Sequence, residues 1–397
     1  MNRGKKIKIF LIAGEPSGDR LGAKLMSEIK FRLAPGSVSF MGLGGELMQA
    51  AGLKQIAKQK NFGIIGFLDV VLRFLQLAGL IKLLAEKAKR ASPDVLITID
   101  SWDFCSRVVA KIKADGKLKN TRFIHYVSPS VWLYRRSRIT RMKLLYDMLL
   151  VVFPFEARLY HEANMPCQYI GHHLIEDFAS KVSISQFKRK YNIGRDFIIL
   201  GAMVGSRPSE IVRMLPLFVS SIELFLKESS EKFMVVWPAV DAAAAKLIEA
   251  TPMRFNRIVV DASKLSNNMR VSMLRSFDLA LVKSGTSTLE VALARVPMVV
   301  AYKVDCFSAL VAKYIFRLDK KLKHVAMVNI LLKEEAVKEF VQERCQPSMI
   351  ARGLHELRNK KTGTRLLLKY QKLAKILSCD EKPSKLAADI VICLLHS

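Results

Sequence analysis

The sequence predicts an α/β protein of two domains, each built on a parallel, doubly wound sheet. Three observations carry that expectation. Apolar strand-like runs alternate with helix-spaced segments. Strand after strand ends in a turn rich in Gly, Ser or Asp, the layout of an open α/β sheet. The whole pattern then restarts near Phe197. A length of 397 residues suits two domains of ordinary size, and 51% hydrophobic residues support a large core and exclude global disorder.

In the first half, Lys8–Ala13 reads as a strand and Leu21–Arg32 has helical spacing. Ser37–Leu43, Asp94–Ile99, Arg122–Val127, Met148–Phe153 and Gln168–Ile170 read as further strands. In the second half, the strands are Phe197–Val204, Phe233–Trp237, Arg257–Val260, Asp278–Val282 and Pro297–Tyr302. The expected division is a first domain over residues 1–175, a second over 176–370 and a helical tail over 371–397 that packs back on the first. The crossing between domains falls within 173–195, and the two domains are expected to face a cleft.

The turn after the first strand, Gly14-Glu15-Pro16-Ser17-Gly18-Asp19, carries two carboxylates where such sheets bind ligands. It lacks the Gly-x-Gly-x-x-Gly or Gly-Lys-Ser/Thr pattern of a phosphate cradle. Its negative charge suits hydroxyl groups, or an acid or base, better than a phosphate. A helix start capped by Ser17, with Asp19 favouring the dipole, explains the same residues. Asp100-Ser101-Trp102-Asp103 ends another strand and offers two further acids. In the second half, Ser284-Gly285-Thr286-Ser287-Thr288-Leu289-Glu290 runs from a strand into a helix. Gly285 permits close backbone approach, and the amides and hydroxyls at Ser284–Thr286 suit a pyrophosphate. Glu290, one turn on, could accept from ribose hydroxyls, and Arg207 offers a planar fork for phosphate oxygens.

Lys and Arg number 64 against 35 Asp and Glu, a net charge of +29. Such a surface seeks polyanions. No zinc-finger spacing, RNA-binding signature or basic heptad is present, which argues against nucleic acid. The six cysteines form no Cys-x-x-Cys pair, and no signal peptide is evident, so reduced thiols in a cytosolic protein are expected. No His-Glu-x-x-His occurs, and adjacent His172 and His173 would point to opposite faces of a strand, so no metal is expected. Residues 66–84 are nearly all apolar; through Ile81 only Asp69, Arg73 and Gln76 interrupt, on one helical face. A buried core helix explains this, as does a helix that meets lipid through Phe67, Val70, Val71, Phe74 and Leu77. Arg135, Arg136, Arg138, Arg141 and Lys143 form a cationic cluster suited to an anionic leaflet, as do Lys313, Arg317, Lys320, Lys321 and Lys323.

In order, the chain carries AGEPSGD (13–19), GLGGELM (42–48), GIIGFLDV (63–70), IDSWDF (99–104), HYVSPSVW (125–132), FPFE (153–156), YIGHH (169–173), GSR (205–207), SGTSTLE (284–290) and VPMVVAYK (296–303). This order and spacing, over residues 8–350, resembles the lipid-A-disaccharide synthases, inverting glycosyltransferases with two Rossmann-like domains (GT-B type). The chain departs from that pattern at Met203-Val204, His173 and Val328, and at Ser101-Trp102, where the family has Ala-Pro. A Trp beside two candidate acids could reshape the acceptor pocket.

The resemblance implies a donor, UDP-2,3-diacylglucosamine, and an acceptor, 2,3-diacylglucosamine 1-phosphate (lipid X), joined by a β-1′,6 bond with no cofactor or metal. It implies a general base at Asp103, with Asp100 as the other candidate, and Glu15 and Asp19 holding acceptor hydroxyls or orienting the base. It assigns UDP contacts to Arg207, Ser284, Gly285, Thr286, Glu290 and Asn329. It places the protein peripherally on the cytoplasmic face of the inner membrane, and a homodimer is compatible with it. A different UDP-sugar enzyme, such as an epimerase or another transferase, would keep Arg207, Ser284–Thr286 and Glu290 without needing the apolar 66–84 helix.

Overall fold

The computed structural model describes residues 6–58, 67–129, 131, 137–303 and 323–396. The chain divides into two compact units, Met1–His173 with Leu377–Ser397, and Leu174–Ile376.

The first unit holds a seven-stranded sheet: β1 (Ile7–Ala13), β2 (Val38–Gly44), β3 (Leu53–Lys58), β4 (Val95–Ile99), β5 (Arg122–Tyr126), β6 (Met148–Val151) and β7 (Cys167–Tyr169). Their order is β3-β2-β1-β4-β5-β6-β7, every pair parallel. Both faces are covered, which explains why the strands read as unbroken apolar runs. Side chains alternate across the pleat. Ile9, Leu11 and Ala13 pack with Leu21, Leu25 and Met26 of the helix Pro16–Arg32. Phe10 and Ile12 face the other way, toward Leu84 and Ala88 of Phe67–Ala91 and Val108 of Trp102–Lys113. Each such buried Ile, Leu or Phe contributes about 1.5–3 kcal/mol. At Gly42 the backbone has φ +144, and a Cβ there would overlap the Leu11 carbonyl of the neighbouring strand.

The chain returns to this unit at its end. Ala387, Ala388 and Val391 of the helix Pro383–His396 complete the face built by Leu25 and Met26, and Arg32 pairs with Asp389. The His172 amide donates to the Leu377 carbonyl at 2.8 Å.

The second unit holds β8 (Ile198–Met203), β9 (Phe233–Ala239), β10 (Arg257–Asp261), β11 (Leu279–Lys283), β12 (Met298–Tyr302) and β13 (Glu339–Val341). The order is β10-β9-β8-β11-β12-β13, again all parallel. The expected strands are all present, with bounds shifted by a residue or two. Two edge strands, β3 and β13, carry no clear sequence signal. β3 mixes Lys54, Gln55 and Lys58 among its apolar residues, and β13 has three residues; short polar edges are common because long apolar ones invite aggregation.

In each sheet the strand order reverses once, between β1 and β4 and between β8 and β11. Diverging crossovers leave a crevice beyond the carboxyl ends of those two strands, the place where open α/β sheets bind ligands.

Candidate active site

In the first unit the reversal point carries both acidic motifs. β1 leads through Gly14 into Glu15, which is exposed and occupies the cap position of Pro16–Arg32. β4 leads into Asp100 and Ser101, both left-handed (φ 55 and 44), and β5 into Val127 (φ 69). Left-handed non-glycine residues cost on the order of 1–3 kcal/mol each and concentrate at functional sites. The Asp100 amide donates to the Tyr126 carbonyl at 2.8 Å, joining the two strained turns. Asp100 Oδ1 accepts from the Ser101 amide at 2.8 Å, and Oδ2 from Ser17 Oγ at 3.4 Å. Asp100 therefore shapes the turn and links it to the acidic loop. Asp103, in the first turn of Trp102–Lys113, has a side chain 73% exposed; its two oxygens accept from Arg138 Nη2 at 3.0 and 3.2 Å. Beneath these groups the Cys105 thiol is pushed up by burial and by the negative charges of Asp100 and Glu15.

Three of the residues singled out in the sequence have partners within the protein. Asp19 is buried, and its carboxylate accepts from the amides of Gly45 (2.8 Å), Leu47 (3.1 Å) and Met48 (3.0 Å). It ties the β2 turn and the start of Glu46–Ala50 to the acidic loop. Trp102 is buried, with its ring 5.5 Å from His125 and 6.0 Å from Tyr146. Arg138, expected at a membrane surface, is 16% exposed and paired with Asp103. His125 is a core residue: Nδ1 lies 2.7 Å from Thr98 Oγ1, and burial pushes its pKa down to about 3, so it stays neutral. Under the Ser128-Pro129 turn, Ser128 Oγ donates to Glu156 Oε1 at 2.9 Å and the Phe153 amide donates to Oε2 at 3.2 Å.

In the second unit the reversal point carries Gly205-Ser206-Arg207 after β8 and Ser284-Gly285-Thr286 after β11. Gly285 has φ +156, and among the described residues nothing lies within 4 Å of where a Cβ would stand, which leaves the backbone open to a ligand. Thr286 is exposed, and Ser284 Oγ donates to the Val325 carbonyl at 2.7 Å. Arg207 is 78% exposed, with Nη1 4.0 Å from Glu210 Oε1. Glu210 is held more tightly by Lys283, whose Nζ lies 2.9 Å from Oε1. Burial would raise the Glu210 carboxyl, but the Lys283 bond and charge outweigh it, and its pKa falls below the ordinary value.

Asn329 and Glu290, both expected at the nucleotide, have partners within the protein. Asn329 is fully buried: Nδ2 donates to the Val337 carbonyl and to Glu339 Oε1, each at 2.8 Å, and Oδ1 accepts from the amides of Ala336 (2.8 Å) and Val337 (2.9 Å). All four of its bonds are internal, so its side chain fixes a turn. Glu290 pairs with Arg270, which also meets buried Asp177 at 3.1 Å. Lys283, Glu210, Arg270 and Asp177 escaped the sequence reading. The Glu210 position, three residues beyond Arg207 at a helix start, is the one signal that could have found it.

Phe67, Val70, Val71 and Phe74 lie on Phe67–Ala91, but their side chains lie outside the described residues. Leu77 is half-buried and packs on the core; with Ala78, Ile81, Arg107 and Lys111 it lines a pocket of about 210 Å³. Arg135 and Arg136, and Lys313, Arg317, Lys320 and Lys321 of the second basic group, lie outside the described residues; Lys323 is exposed. Among the described residues, no helix is long and apolar enough to cross a membrane.

Residues 9–388 match the family described as Lipid-A-disaccharide synthetase. A lipid-A-disaccharide synthase of Rickettsia felis is 34% identical over 393 residues, covering 97% of this chain and 95% of that one. One of Nitrobacter winogradskyi is 36% identical over 390 residues, covering 97% and 95%. One of Paramagnetospirillum magneticum is 33% identical over 386 residues, covering 97% and 96%. Among solved structures, a Methanocaldococcus jannaschii UDP-GlcNAc 2-epimerase in complex with UDP-GlcNAc and UDP is similar with a TM-score of 0.62 at 10% identity, covering 98% and 100%. A glycotransferase of kitacinnamycin matches at 0.59 and 13%, covering 99% and 100%. At such identities these two likenesses bear on the fold alone. With both sheets, their reversal points and a match running nearly end to end, the chain belongs to the lipid-A-disaccharide synthase family of glycosyltransferases.

Proposed function

We propose that this enzyme joins UDP-2,3-diacylglucosamine to 2,3-diacylglucosamine 1-phosphate. The products are a β-1′,6-linked disaccharide 1-phosphate and UDP, and the donor anomeric centre is inverted. The observation that carries the reading is the pairing of chemistry with topology. The carboxylates stand at the reversal point of one sheet, and the cation and open backbone at that of the other.

Inversion in one displacement needs a base for the acceptor 6-hydroxyl and fixed positive potential for the leaving diphosphate. Asp103 suits the first need: it is exposed and oriented by Arg138, whereas Asp100 is held by the Ser101 amide and the Ser17 hydroxyl. As the C–O bond to UDP breaks and the acceptor oxygen bonds to the anomeric carbon, Asp103 takes the hydroxyl proton. Glu15, at the mouth of the same turn, is suited to orient the acceptor hydroxyls. Arg207 and the Gly285–Thr286 backbone suit the second need, receiving the negative charge that develops on the departing diphosphate.

The net charge of +29 and the apolar 66–84 stretch support a protein that rests on an anionic leaflet and receives acylated substrates from it. We place it peripherally on the cytoplasmic face of the inner membrane. The test is UDP release with acylated and deacylated substrate pairs in detergent micelles, for wild type and for a variant with Phe67, Phe74 and Leu77 changed to Ser. Wild type should turn over acylated substrates, and the variant should lose that turnover while still binding UDP. Equal turnover of deacylated sugars by wild type would contradict the lipid assignment.

A further inference from the structure

The carboxyl ends of the adjacent strands β8 and β11 hold an ion pair that the proposed chemistry does not use. Lys283 closes β11, immediately before Ser284 and the open Gly285. Its ammonium lies 2.9 Å from Glu210 Oε1 and 5.1 Å from the Tyr302 ring centroid, with its side chain only 13% exposed. Glu210 also accepts at Oε2 from the amides of Ser206 (3.3 Å) and Arg207 (3.5 Å). The Gly205 backbone lies directly over both side chains, so that a Cβ there would stand 2.8 Å from Glu210 Oε2 and 3.6 Å from Lys283 Cδ. Two cations of unequal standing therefore share one carboxylate: Lys283, close and largely buried, and Arg207, at 4.0 Å and mostly exposed.

We propose that Lys283 is a positioning residue for Arg207: by neutralising Glu210 it keeps the Arg207 guanidinium available to the donor diphosphate. The inference rests on the UDP-sugar reading of this site. Its physical basis is competition. A half-buried carboxylate without a partner carries a large penalty and draws in the nearest cation. With the Lys283 charge removed, Glu210 would close the remaining gap to Arg207, three residues away in the same turn. The guanidinium would then bind inside the protein instead of to phosphate, and an unshielded carboxylate would stand beside an anionic ligand. With Lys283 in place, neither cost arises.

The test is calorimetric titration of UDP into the full-length protein as wild type, Lys283→Met, Glu210→Gln and the double variant, with circular dichroism and thermal melts as controls for folding. Loss of one charge-assisted contact corresponds to UDP binding weakened roughly ten- to hundredfold in Lys283→Met. The double variant should return to within about threefold of wild type, because no carboxylate remains to capture Arg207. Unchanged affinity in Lys283→Met would overturn the proposal. So would a folded double variant as weak as Lys283→Met, since Lys283 would then meet the phosphates itself. If Lys283→Met does not fold, Glu210→Gln compared with the double variant decides: equal affinities support the proposal, and a drop on removing Lys283 overturns it. A wild type that binds no UDP would instead refute the donor-site reading on which the proposal rests.

Discussion

Glu156 shows how burial of one residue sets a pH response. Burial pushes its carboxyl up to about 7, opposed by the bonds from Ser128 and the Phe153 amide. The folded pKa lies above the ordinary 4.5, so the folded state holds the extra proton between those values. The stability contributed by the neutral form is full below pH 4.5 and is lost as pH rises through 7. Relative to wild type, Glu156→Gln should gain unfolding free energy on the order of 3 kcal/mol between pH 4.5 and pH 8. Urea denaturation at the two pH values checks this. The neutral, buried His125 is present in both proteins and cancels in the difference. A variant whose stability tracks wild type across that range would show that Glu156 ionises as if in water.

The same scale separates what the sequence could disclose from what it could not. Asp19, Asp100, Asp103 and Glu290 stand in the turn or the first helical turns after a strand, where ligands bind, and Asn329 was marked by the family resemblance, so residue type and place were legible. Their division of labour was not. Asp19 is held by three amides 26 to 29 residues away, and Asn329 by a turn seven to ten residues on. Carboxylates and carboxamides look alike in sequence whether they meet substrate or backbone; only the folded surroundings distinguish them.

At the scale of elements, Arg270 binds three short helices together. It joins Asp177 on Leu174–Ala179 to Glu290 on Ser287–Leu293 from its own helix Asn267–Arg275. Asp177 is 1% exposed, so losing Arg270 takes a cation away from a buried carboxylate. Arg270→Met should lose about 3–5 kcal/mol of stability. Asp177→Asn in the same background should recover part of that loss, and a urea midpoint unchanged in Arg270→Met would refute the role. Central strands were legible because sheets covered on both faces demand continuous apolar runs. The edge strands β3 and β13 were not, since one side of each lacks a partner and their sequences mix polar and apolar residues. The sequence offers a helical tail expected to pack back on the first domain, but not the residues that do so: the contacts of Ala387 and Val391 span some 360 residues and leave no local pattern.

At the scale of the molecule, two sheets with one kind of topology present two kinds of chemistry. One presents carboxylates and the other a cation with open backbone, each at the reversal of strand order. The surplus of positive charge suits the phosphate groups of UDP-sugar substrates. The most direct test is thin-layer separation of products formed from UDP-2,3-diacylglucosamine and radiolabelled 2,3-diacylglucosamine 1-phosphate, with wild type run beside Asp103→Asn. The account predicts a slower-migrating disaccharide 1-phosphate from wild type, a rate lower by about 10²–10⁴ in the variant, and UDP affinity equal in both. A folded wild type that binds UDP yet forms no disaccharide, or an Asp103→Asn enzyme as fast as wild type, would contradict it.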